Sequence, residues 1–172
     1  RNQDIDDLVL DLRYNGGGFL YIASEIGYMV AGSARTASKT FERLQFSDRR
    51  VADTNDPDNN TPFYNVASGI ANTGTTENTP LPTLNLGRVY VLASPGTCSA
   101  SEAIVNGLRG VGVEVVAIGD ISCGKPVGFL PDDDGWGTTY SIVNFEGVNA
   151  QNQGRYFDGL APTCPVAEDL SL

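Results

Sequence analysis

Three short, nearly unbroken apolar runs constrain the fold most: Leu8 to Leu12, Val89 to Ala93 and Val113 to Ile118. A strand apolar on both faces needs cover on both sides, as in a parallel sheet flanked by helices. Helical spacing lies between the runs. Leu20, Ala23, Ile26, Gly27 and Val30 recur on one helix face, with Gly32 as a stop. Ala100, Ala103, Ile104, Gly107 and Leu108 form the apolar face of a second helix over residues 99–108. Strand–helix–strand order predicts an α/β domain with a largely parallel sheet. Further strands are expected at 40–46 through Phe41, Leu44 and Phe46, at 127–130, and as a longer one at 138–145. Residues 53–85 are rich in Asn, Thr, Pro, Asp and Gly and read as a long surface excursion, with one short element near 64–70. The tail, 159–172, is acidic and interrupted by proline. No internal repeat is visible. The length, 172 residues, suits one domain.

Composition narrows the chemistry. Histidine is absent, so this chain alone builds neither a Ser-His-Asp triad, nor a Cys-His pair, nor a His-ligated zinc site. A general base must come from Lys, Asp, Glu, Tyr or Cys. A net charge of −10 argues against nucleic acid as a partner. No apolar run approaches the roughly 20 residues of a membrane span. The chain opens without a Met and runs straight into its first strand. It therefore reads as a piece of a longer protein, one catalytic domain over 1–172 whose upstream part lies elsewhere. Cys98, Cys123 and Cys164 show no C-x-x-C spacing and allow at most one internal disulfide. An Asn-x-Thr triplet at 59–61 is a weak signal in a polar loop.

Three segments carry candidate chemistry. The first strand runs into Asp11, Leu12, Arg13, Tyr14, Asn15 and three glycines, Gly16 to Gly18. Read plainly, this is a tight strand-to-helix turn. Its backbone can also approach a ligand closely and offer free N–H groups to an anion or oxyanion. In the second, Ser99 and Glu102 open a helix and fit a capping box. The same turn would expose Ser99 as a nucleophile beside the N–H of Ala100, with Cys98 as a competing nucleophile. The third, Gly119 to Pro126, nearly matches a phosphate loop, but Pro126 supplies neither the hydroxyl nor the N–H that such a loop needs. Lys125 remains notable there, one of only two lysines in the chain. An exposed charged lysine is the ordinary reading. Partly withdrawn from water, it would serve as a general base, and Ser-Lys pairing activates serine without histidine.

Taken together, Asp-Leu-Arg-x-Asn-Gly-Gly-Gly, Ser-Ala-Ser-Glu and Gly-Asp-x-x-x-Gly-Lys resemble the C-terminal-processing, or tail-specific, serine peptidases. The resemblance covers about residues 5–127, with a weaker match over 145–164; residues 45–87 match little. It implies a ClpP/crotonase-like fold of stacked β-β-α units. It implies a Ser99–Lys125 dyad, 26 residues apart, with Ser101 as the other serine of the motif. It implies oxyanion donors on the backbone of Ala100 and of the glycine turn, with Gly17 the best choice. Glu102 matches a family position but is assigned first to the helix cap. Where many members carry Gln four residues after the lysine, this chain has Phe129, which leaves the dyad's third member open. The family often adds an amino-terminal PDZ domain, absent from this chain. No cofactor or metal is implied. The expected partner is a polypeptide substrate, tails or unfolded chains, in a periplasmic or other extracytoplasmic setting where Cys123 and Cys164 could pair. Oligomeric state is left open. Two rivals stand beside the peptidase: an inactive peptide-binding relative, favoured by Phe129, and an acyl-CoA enzyme with a similar oxyanion turn.

Overall fold

The computed structural model describes residues 5–68 and 78–169. The first apolar run forms β1 (Val9–Asp11), and the glycine turn leads into α1 (Leu20–Ala31) and a short α2 (Ser33–Thr36). Next come β2 (Thr40–Phe46), a single-turn α3 (Val51–Thr54) and β3 (Asn60–Pro62). The second and third apolar runs become β4 (Arg88–Ala93) and β5 (Glu114–Gly119), joined by α4 (Ala100–Gly110). Short strands complete the chain: β6 (Val127–Gly128), β7 (Asp132–Asp133), β8 (Thr139–Tyr140), β9 (Phe145–Val148) and β10 (Cys164–Pro165).

The three apolar runs lie side by side in one sheet of order β1-β4-β5-β10, parallel throughout. A second sheet, β3-β2-β9-β6, is antiparallel. Helix α4 packs against β5, β2 and α1. It is buried on nearly every side, Arg109 excepted, so its sequence is small and apolar around most of its circumference. Phe41 is fully buried and meets Phe63 edge to face at 5.3 Å. It fits because Gly107 and Gly27 face it: a Cβ on Gly107 would stand 2.6 Å from the ring.

Two expectations need correction, and a third runs partly outside the described residues. The strand expected at 138–145 is two pieces, β8 in an exposed hairpin with β7 and β9 in the second sheet. Residues 141–144 carry no strand between them. The proline-broken tail still contributes β10, which pairs with β5 and extends the parallel sheet at its edge. The element expected near 64–70 ends outside the described residues; within them, Val66 bridges Pro80.

Candidate active site

Ser99 is the N-cap of α4, with φ 57° and ψ −117°. Positive φ is costly for a residue with a Cβ and persists only where neighbours hold it. Here they do. The Cys98 N–H donates to the Asn15 carbonyl at 3.1 Å, and Ser101 Oγ donates to the same oxygen at 3.0 Å. The buried Thr97 hydroxyl donates to the Leu12 carbonyl at 2.7 Å. Gly17, at φ 109°, packs directly on the turn: a Cβ there would lie 2.8 Å from Ser99 Cβ and 2.9 Å from the Cys98 carbonyl oxygen. The two motifs are thus one construction. Ser101 is consumed in it, whereas Ser99 caps α4, its side chain meeting the Glu102 N–H in the capping box.

Glu102 joins the third motif to this pair. It is fully buried, yet every donor it needs is present. Its carboxylate accepts from the Ser99 N–H (2.9 Å), Ser122 Oγ (2.6 Å), the Gly124 N–H (2.8 Å) and the Lys125 N–H (2.9 Å). The capping-box reading found one of these four contacts; the other three lie 20 or more residues away and gave no local signal. Ser122 Oγ in turn accepts from the Leu160 N–H at 2.7 Å. Gly124, at φ 81°, lies so close to the Phe157 carbonyl oxygen that a Cβ would come within 2.2 Å of it.

A disulfide links Cys98 to Cys123, with Cα atoms 5.2 Å apart. This answers the question left open for Cys123 and Cys164, which do not pair: Cys164 lies on β10 with a free, exposed thiol. It also removes Cys98 as a nucleophile. Cys98, Glu102 and Cys123 have ligand-type atoms within 4.8 Å of one another. The sulfurs are bonded to each other and the carboxylate already has four donors, so this donor set does not suit a cation.

Ser99 and Lys125 line one cavity of about 540 Å³. Its walls include Gly16 and Gly18 of the glycine turn, Ala100, Phe129, Phe145, Tyr156 and Glu42. Lys125 Nζ stands 5.7 Å from the Phe129 ring centroid, so an aromatic face occupies the place where the resemblance led to an amide. The Gly17 N–H donates to Asn15 Oδ1 at 3.0 Å instead of facing the cavity. Two groups here escaped the sequence reading. Burial alone pushes the Glu42 carboxyl up to about 7. Burial, with the negative charges of Glu42 and Glu102 nearby, raises Tyr156 as well. Outside the cavity, Arg13 clasps Asp11 through two nitrogens, at 3.0 and 2.7 Å, and holds that carboxyl below its usual range.

A serine at the start of α4 and a lysine after β5 thus share one cavity beside the parallel sheet. The model of peptidase family S41 matches residues 1–163, and the chain belongs to that family. A Bacteroides fragilis NCTC 9343 protein described as an S41 protease superposes with a TM-score of 0.73 at 27% identity, over 96% of this chain and 39% of that one. The photosystem II D1 C-terminal processing protease gives 0.60 at 17% identity, over 95% and 35% of the two chains. A Streptococcus agalactiae lipoprotein gives 0.63 at 13% identity, over 96% and 51%. The last two are likenesses of fold. This chain spans about two fifths of the Bacteroides structure. A search of curated proteins returns no significant match. Among the described residues, no helix is long and apolar enough to cross a membrane.

Proposed function

We propose that this chain carries the catalytic centre of a serine endopeptidase acting on polypeptide tails or unfolded chains through a Ser99–Lys125 dyad. The observation that carries the reading is the shared cavity of Ser99 and Lys125, whose backbones are tied by one buried carboxylate and one disulfide. In this mechanism the Lys125 amine, unprotonated, takes the Ser99 proton as Oγ attacks the peptide carbonyl. The amine then hands that proton to the leaving nitrogen. An acyl-enzyme remains, and water releases it with Lys125 again as base. The Ala100 N–H, in the first turn of α4 where backbone donors lack intrahelical acceptors, would receive the developing oxyanion. Gly17 would join it by exchanging its bond to Asn15 Oδ1 for one to the substrate oxygen. Disulfides persist in oxidising compartments, so the Cys98–Cys123 bridge supports an extracytoplasmic, periplasmic setting.

The test is cleavage of an unfolded polypeptide by the full-length protein and by its Ser99→Ala and Lys125→Ala variants. Both variants should retain the wild-type melting temperature and lose turnover. Full turnover in either removes that residue from the mechanism. Phe129 beside Lys125 favours the second reading, a peptide-binding relative without hydrolysis. A wild type that binds unfolded chains and never cleaves them would establish it.

A further inference from the structure

The cavity beside Ser99 holds a carboxyl that the hydrolytic mechanism does not use. Glu42 is only 7% exposed. No hydrogen bond or opposite charge from the described residues meets it; burial is the sole influence on its titration. It lines the same cavity as Ser99 and Lys125. The enzyme's own amine does not serve it, since Lys125 Nζ lies by the Phe129 ring. Gly147 leaves the carboxyl its room: a Cβ there would lie 2.4 Å from Glu42 Cδ. Around it the walls are largely apolar, with Leu20, Ala103, Val127 and Phe145, and Tyr156, whose own titration Glu42 raises, is the neighbouring titratable group.

We propose that this cavity is a specificity pocket for a basic side chain of the substrate, lysine or arginine, with Glu42 receiving the cationic head. The inference rests on the peptidase reading of Ser99. An unpaired carboxyl in an apolar wall is costly, and the cost vanishes when a charged donor arrives. Lysine and arginine have the matching shape: an apolar stem for the walls and a charged head at its end. An ammonium or guanidinium on Glu42 would make the short, charge-assisted bonds that none of the described residues supplies. In this reading the pocket takes the acyl-side residue, the one whose carbonyl is attacked.

The experiment uses the full-length protein and peptides identical except at the acyl-side residue: lysine, arginine, norleucine or glutamate. Mass spectrometry fixes the bond cut. The expected kcat/KM for lysine or arginine exceeds that for norleucine by about tenfold or more, as a buried carboxyl distinguishes a charged donor from a methyl. Glu42→Gln should collapse that ratio toward one while the protein remains folded. Because any effect on Lys125 touches all peptides equally, the ratio isolates the pocket. A preference for norleucine, or a ratio that Glu42→Gln leaves intact, overturns the proposal and leaves the peptidase reading standing. If no peptide is cut, the peptidase reading fails. Fluorescence anisotropy of labelled lysine and norleucine peptides on the Ser99→Ala protein then decides the pocket. A lysine preference abolished in Ser99→Ala/Glu42→Gln upholds it; equal binding overturns it.

Discussion

Two buried glutamates lie near Ser99 and Lys125, one lining their cavity and one tying their backbones, and they differ in everything but burial. Glu102 is wholly enclosed and accepts four hydrogen bonds from two stretches of chain. Glu42 is nearly as enclosed and accepts none from the described residues. The first carboxylate is a structural junction: it fixes where the Ser99 turn ends and where Lys125 begins. The second faces the cavity with its capacity unspent. A buried carboxylate with all its donors rigidifies a site, and one without them waits for a ligand. The contrast separates the frame of the site from its receptive surface.

Breaking the junction should cost most. Glu102→Ala leaves three backbone donors, the N–H groups of Ser99, Gly124 and Lys125, and the Ser122 hydroxyl without their acceptor, so urea unfolding should show a loss of about 4 kcal/mol, together with lost turnover. A loss near zero would mean that the loops hold each other without it. Removing the bridge comes next. The paired substitution Cys98→Ser with Cys123→Ser opens a loop of 25 residues and should cost about 3 kcal/mol in the same assay. Reduction of the wild type should match the double variant.

The opposite sign is expected for the second glutamate. The unfolded chain releases the Glu42 proton near 4.5, whereas the folded chain keeps it until about 7. The folded state therefore binds more protons across that window, and this contribution to stability declines as pH rises through it. Glu42→Gln removes the decline. Above pH 7 the variant should be the more stable protein, by at most about 3 kcal/mol, and below pH 4.5 the two should converge. Equal pH profiles would show that Glu42 has a partner after all. The smallest effect is expected at Phe129, which is 41% exposed. Phe129→Ala loses the ring beside Lys125, worth about 0.5 kcal/mol, so turnover should fall about two- to threefold with little change in melting temperature.

The parallel sheet, α1 and α4 were legible because their residues repeat a burial pattern locally. Ser99, Lys125 and the glycine turn were legible as motifs. What escaped depended on distance along the chain. The partners of Glu102 come from the segment after β5, and Cys98 meets Cys123 only because two crossover loops converge. Glu42 had a signal that went unused. It alternates with Leu44 and Phe46, which puts it on their face of β2. The register irregularity between Thr40 and Glu42 occurs where Phe41 and Glu42 are buried in succession. β10 has too few residues, one of them proline, to announce a strand.

The most direct measurement is an acid-quenched single turnover of the full-length protein on an unfolded polypeptide, followed by peptide mapping of the trapped adduct. An acyl group on Ser99, absent from Lys125→Ala, is the expected result. An acyl group on Ser101, or hydrolysis that proceeds with no acylated serine, would contradict the dyad.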